Sequence, residues 1–218
     1  MAVLLDENTS SGGSRYEAAK GYFLGVSRAG GLPFGIPYDA DVAAAAIADF
    51  DALLTPGGRF ANPREWYVGE AAPSPPSERL GVEIALVEGF LAADKPVLSI
   101  CAGMQTLACL HGGRLTALVP DHNERGRMHE VTVTPGTMLA TLVGARLSVN
   151  TFHNEAVLAL GPGVVASACA DDGVLEALEL PGYRFALGVQ WHQELFAQED
   201  HPGNGIFQGL IDACGRDR

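Results

Sequence analysis

Positive charge is scarce in this chain. Lys and Arg number 14 against 26 Asp and Glu over 218 residues, a formal net charge of −12. No basic patch interrupts that balance, so nucleic acid and acidic membrane surfaces are not expected partners. Long apolar runs are missing as well. No window reaches the roughly 18 apolar residues of a membrane span, and the short run Ala2 to Leu5 meets Asp6 and Glu7 with no basic region before it. These absences predict a soluble, cytoplasmic protein. Cysteine is sparse too: Cys101, Cys109, Cys169 and Cys214 stand in no paired spacing. A chain of this length can bury a substantial core without staples, so free thiols are expected.

What is present has an alternating rhythm. Ala2 to Leu5 reads as a strand, Tyr16 to Ala29 as a helix closed by Gly30 and Gly31, and Leu32 to Pro37 as a second extended segment. Val42 to Asp49 is helical, and Ala52 to Thr55 is a strand running into Pro56, Gly57 and Gly58. From Arg59 to Pro76 the sequence turns irregular, with Arg64, Trp66 and Tyr67 in a loop of functional length. Glu78 to Ala93 resumes as an amphipathic helix. After Gly113 the segments 130–134, 145–151, 164–170, 174–179 and 185–191 are β-rich and close together, with Asp171, Asp172 and Gly173 as a tight turn. A helix over Gly205 to Cys214 follows. The pattern predicts one α/β domain over residues 1–218, a central mostly parallel sheet flanked by helices with added antiparallel strands in the C-terminal half.

The chemistry concentrates at "KPVLSICAGMQTLACLHGG". Val97 to Ile100 reads as a buried strand and Met104 to Leu110 as a helix, so Cys101 lies at the hinge between them. Such a hinge sits at the carboxyl edge of the strands, where α/β folds place ligands, and the helix dipole there favours an anionic sulfur. Gly103 relieves crowding at a tight elbow. The local pattern leaves two readings open, a nucleophile or a small thiol packed in the core. A nucleophile needs a base. Among the six histidines, His192 ends a strand-like run and has Glu194 two residues on, able to orient its imidazole. Cys109, His111, His122 and His129 lack the paired short spacing of a zinc set, and no metal is expected.

These motifs resemble the class I glutamine amidotransferases. "SICAGMQ" is similar to their cysteine elbow, "VQWHQE" to their His-Pro-Glu motif and "LLTPGG" to the glycine turn of their oxyanion hole. The flanking segments "SVNTFHNEAV" and "ADDGVLEALE" resemble the γ-glutamyl-γ-aminobutyrate hydrolase branch, and the likeness spans essentially the whole chain. Gln193 replaces the usual proline between His192 and Glu194, which is expected to loosen that turn. Asn154 and Glu155 replace the branch's His-Gln after His153, and Glu155 would bring a charge to the pocket rim.

The resemblance implies a flavodoxin-like amidotransferase fold and a cysteine hydrolase that cleaves a γ-glutamyl amide without a cofactor. Cys101, His192 and Glu194 would be the catalytic residues, the amides of Gly58 and Ala102 the oxyanion donors, and Gln105 and His153 the substrate contacts. The partner would be a small γ-glutamyl compound, with γ-aminobutyrate, a polyamine derivative, an aromatic amine or a folate-like tail open as the leaving group, and a homodimer is a further expectation. Two other readings stay open: a glutaminase subunit serving a separate synthetase, and a non-catalytic binding protein on the same fold.

Overall fold

The structure, a computed structural model, describes residues 1–7, 12–71 and 74–215. Residues 72–73 of the loop expected over 59–76 therefore lie outside the described residues, as do residues 8–11 and 216–218 of the predicted domain. In chain order the elements are β1 (Ala2–Leu4), β2 (Asp6–Glu7), β3 (Tyr16–Glu17), α1 (Lys20–Arg28), β4 (Phe34–Ile36), α2 (Ala40–Asp49), β5 (Leu53–Thr55), α3 (Arg79–Ala92), β6 (Val97–Ile100) and α4 (Ala102–Leu110). There follow β7 (Arg114–Thr116), β8 (Asn123–Val133), α5 (Met138–Val143), β9 (Arg146–Phe152), β10 (Ala156–Ala159), β11 (Val165–Ala170), β12 (Leu175–Glu179), β13 (Ala186–Val189) and α6 (Gly205–Cys214).

Nine strands form one sheet in the order β4-β1-β5-β6-β13-β12-β11-β8-β9. The first five are mutually parallel and the rest antiparallel. That is the mixed α/β architecture the sequence predicts. Side-chain alternation along β1 sends Val3 into one apolar cluster and Ala2 and Leu4 into another, as expected of a sheet covered on both faces.

Several segments differ from expectation, among them β7 and β10, which pair with each other in a sheet of their own. Tyr16 and Glu17 do not open a helix; they pair with Glu7 and Asp6 as a small ribbon, and α1 begins at Lys20. Just inside α1, Gly21 lies hard against the Glu194 carbonyl, where a Cβ would overlap it. β8 starts seven residues earlier than the apolar pattern of 130–134 suggests, and its first half pairs only with β9 across an irregularity between Asn123 and Met128. α5 goes unannounced because a six-residue helix offers too few turns to show a periodicity. Its start is fixed by Thr137, whose side chain accepts from the Ala140 amide.

Candidate functional site

Strands β5, β6 and β13 lie side by side and parallel, so their carboxyl ends open on one edge. The turn Pro56–Gly57–Gly58 leaves β5, Cys101 leaves β6, and His192 follows β13 by three residues. Cys101 has φ 52° and ψ −108°, a conformation costly for a side chain with a Cβ and typical of nucleophiles held at a sharp strand-to-helix turn. Its amide still donates to the Val189 carbonyl at 2.8 Å, and its carbonyl accepts from Gln105 N at 3.1 Å. One side chain is thus projected from a turn anchored on both sides. α4 comes close to β5 at this point: a Cβ on Gly103 would stand 2.4 Å from Thr55 Oγ1 and 2.8 Å from its carbonyl oxygen. The expected relief of crowding by Gly103 is therefore a matter of Thr55.

His192 meets the same turn. A Cβ added at Gly57 would lie 2.6 Å from His192 Cε1 and 3.4 Å from the Cys101 Cβ. The imidazole Nδ1 and Glu194 Oε1 are 2.6 Å apart. A carboxylate only accepts, so Nδ1 carries the proton and Nε2 is the atom left for chemistry. Burial works against charge on this ring, but the Cys101 sulfur and the Glu194 carboxylate outweigh it and hold its pKa well above the usual histidine value. The ring's backbone is pinned from the far side of the sheet, because Asn150 both accepts from His192 N and donates to its carbonyl, each at 2.9 Å.

Gln193 does not loosen the turn. Its side-chain carbonyl accepts from Trp191 Nε1 at 2.8 Å and its amide donates to Asn204 Oδ1 at 2.9 Å. The amide side chain is buried and joins the Trp191 indole to the Asn204 side chain.

The glycine turn has its own supports. Arg79, fully buried, donates to the carbonyls of Gly57 (2.8 Å) and Pro56. Its charge is matched by Glu83 at 2.7 Å and Asp6 at 3.1 Å, and Phe60 stacks on its plane at 4.7 Å. Burial opposes this cation, yet Glu83 and Asp6 raise its pKa above the ordinary value. The Tyr22 hydroxyl accepts from the Gly57 amide at 3.0 Å. Because the Gly57 amide is engaged, Gly58 is the glycine of the turn that faces the cavity.

That cavity has a volume of about 580 Å³ and is lined by Gly58, Cys101, Ala102, Gln105, His153, Glu155 and His192, together with Arg59, Phe60, Asn62 and Ser74 of the long loop. Every residue expected at the site from the sequence except Glu194 lines it. Glu194 stands behind His192 with 4% of its side chain exposed. Gln105 spends its amide group internally, donating to Glu155 O at 3.0 Å and to Gln190 Oε1 at 3.2 Å. Gln190 in turn donates to the Cys101 sulfur at 3.6 Å. His153 borders the cavity, but its Nδ1 donates to Glu155 O at 3.0 Å and its Nε2 faces His122 and Glu176. It shapes the wall, with both ring nitrogens turned to protein groups.

Glu155 does bring a carboxyl to the rim. Burial raises its pKa, and Tyr67 donates to it at 2.7 Å. Of the loop residues singled out in the sequence, Tyr67 reaches the site through this contact, whereas Trp66 packs into the second core cluster. Sequence reasoning missed Arg79, Tyr22, Asn150 and Gln190. Asn150 and Gln190 carried a signal, their places in the "SVNTFHNEAV" and "VQWHQE" segments.

A thiol beside an imidazole, with a carboxylate behind the ring, is an arrangement that cysteine hydrolases use. The family model described as Peptidase C26 matches residues 3–194, and the chain belongs to that family of class I glutamine amidotransferase-like hydrolases. A putative glutamine amidotransferase of Mycobacterium tuberculosis is 36% identical over 88% of this chain, and the match covers 66% of that protein's own length. Protein NtpR of Enterococcus hirae is 31% identical, with 88% of this chain and 86% of its own length covered. The γ-glutamyl-γ-aminobutyrate hydrolase PuuD of Escherichia coli K12 is 26% identical over 98% of this chain and 92% of its own. The glutaminase domain of the Trypanosoma brucei CTPS, solved with bound acivicin, superposes with a TM-score of 0.65 at 16% identity, over 98% of this chain and 92% of that one. It shares the fold.

Proposed function

We propose that the protein hydrolyses the γ-glutamyl amide bond of a small γ-glutamyl amine, such as γ-glutamyl-γ-aminobutyrate, with Cys101 as nucleophile. The observation that carries this reading is the strained Cys101 elbow beside an imidazole whose other nitrogen is held at 2.6 Å by Glu194, both open to one cavity. With its proton passed to His192 Nε2, the Cys101 sulfur attacks the γ-carbonyl carbon, and the carbonyl oxygen takes the negative charge. The amides of Gly58 and Ala102 receive it, Ala102 being a first-turn residue of α4 whose N–H has no partner within the helix.

As the C–N bond breaks, the His192 proton passes to the leaving amine, which departs neutral and leaves a glutamyl thioester. His192 then takes a proton from water, whose oxygen attacks the thioester carbon. The C–S bond breaks, and glutamate and the thiolate are released. Glu194 keeps the same imidazole nitrogen presented in both steps. The long loop and Glu155 border the part of the cavity that holds the leaving amine. The likeness to γ-glutamyl-γ-aminobutyrate hydrolases along 98% of the chain supports this substrate class.

The relatives named as glutamine amidotransferases favour a second reading, a glutaminase that passes ammonia to a separate synthetase. One assay separates the two. Purified protein and Cys101→Ala are given a panel of γ-glutamyl amines and free glutamine, and release of glutamate and amine is measured. The proposal expects release from at least one γ-glutamyl amine, absent in the variant. Turnover of glutamine alone, appearing only when a synthetase is added, would establish the second reading instead.

A further inference from the structure

Behind the cavity wall, on the antiparallel half of the sheet, three imidazoles surround one carboxylate. Glu176 of β12 is fully buried, and neither of its oxygens has a hydrogen-bond partner. Its Oε1 lies 3.3 Å from His153 Nε2, 3.4 Å from His122 Nδ1 and 3.6 Å from His129 Nε2, and the first two of those nitrogens are 3.2 Å from each other. His129 Nε2 is likewise buried and unpartnered.

The outer contacts fix the tautomers. His122 Nε2 is 2.8 Å from the Asp172 carboxylate, and His153 Nδ1 is 3.0 Å from the Glu155 carbonyl. Both partners only accept, so each of those nitrogens carries the ring hydrogen. In the neutral rings, His122 Nδ1 and His153 Nε2 are then bare lone pairs pointing at each other and at a carboxylate oxygen. One added proton satisfies one of these contacts; a cation satisfies more than one.

The spacing agrees with a cation. Two N or O ligands on one tetrahedral zinc stand about 3.3–3.6 Å apart, and Glu176 Oε1 stands 3.4 Å from His122 Nδ1 and 3.6 Å from His129 Nε2. The ligand atoms of His122, His129 and Glu176 all lie within 4.8 Å of one another. The outer carboxylate on His122 is a partner that metal-bound imidazoles use to fix their orientation.

We propose that His122, His129 and Glu176 form a binding site for one divalent transition-metal ion of the zinc class, with His153 beside it. Its three ligands fasten β12 to β8 and to the residue just before β8. Through His153, 3.2 Å from His122, it also abuts the cavity wall. The inference does not depend on the proposed substrate. It revises the sequence-based expectation of no metal: His122 and His129 do converge, but on Glu176, whereas Cys109 stays on α4 and His111 caps it against Tyr183.

The test uses the full chain carrying Cys101→Ala, so that the cavity thiol does not compete, stripped with a chelator and titrated with Co²⁺ and then Zn²⁺. Expected are one equivalent of Co²⁺ with the intense visible bands of tetrahedral geometry, displacement by Zn²⁺, and a rise in melting temperature with Zn²⁺. His129→Gln and Glu176→Gln weaken binding about tenfold or more, while His201→Gln binds like the parent. Should Glu176→Gln fail to fold, the less buried His129→Gln decides, with circular dichroism as its check on folding. No stoichiometric binding, binding undiminished in folded His129→Gln, or a sulfur-to-cobalt band placing a cysteine in the shell would each overturn the proposal.

Discussion

On the proposed mechanism, the ionisation of His192 governs the reaction at the scale of single residues. Burial disfavours its charge, but Cys101 and Glu194 together push its pKa well above 6.5. A group raised in this way stabilises the fold fully below its unfolded value of about 6.5, and that contribution fades as pH climbs through the folded value. Activity follows the same logic: His192 must be protonated to expel the amine, so the alkaline limb of the kcat/KM profile should lie well above 6.5. In Glu194→Gln that limb should move to lower pH and kcat should fall about 100-fold or more, read from pH–rate profiles of both proteins.

Thiol chemistry gives an independent check at this scale. Burial pushes Cys109 up to about 12 and also raises Cys169 and Cys214. A thiol reagent at neutral pH is therefore expected to modify Cys101 fastest, as followed by peptide mass mapping. Cys101, His192 and Glu194 were legible in the sequence because each sits at or just after a strand end with a recognisable neighbour. Asn150 and Gln190 were not, because their roles depend on which strands meet across the sheet.

Among the elements, the turn after β5 is the most exacting. Its glycines are held from below by Arg79 and from the side by Tyr22. Removing the guanidinium strands Glu83, which is buried with no exposed side-chain surface, so Arg79→Met is predicted to lose about 3–5 kcal/mol of stability in urea unfolding. Arg79→Lys keeps the charge but not the fork, and is expected to lower kcat with little change in KM.

Gly57→Ala would set a methyl against the His192 ring. The expectation is a folded protein with a loss in kcat of about 100-fold, checked by steady-state kinetics beside a thermal melt. The central strands of the sheet and the longer helices were visible in the sequence because their apolar spacing repeats over several turns or pleats, whereas the short pairs β2–β3 and β7–β10 were not. Arg79 was hidden for the same reason: on an amphipathic helix an arginine reads as a solvent-facing residue, and nothing local says that its face is buried against a loop 22 residues earlier. The metal-type cluster was hidden in a similar way, since its members come from β12, from β8 and from the residue just before β8.

For the whole molecule, the parallel half of the sheet supplies the strand ends and the antiparallel half supplies the cavity's back wall. Asn150 and the His153–Glu155 segment reach the site from the far edge of the sheet, so the two halves are mechanically one device. Among the described residues, no helix is long and apolar enough to cross a membrane. The central claim is that a glutamyl group becomes attached to the Cys101 sulfur. It is tested most directly by treating the folded protein with an electrophilic glutamine analogue and reading the intact mass and the modified peptide. The account predicts a single adduct on Cys101, slowed by prior addition of a γ-glutamyl amine and missing in Cys101→Ala. Full turnover by Cys101→Ala, or an unmodified Cys101 in active wild-type protein, would contradict it.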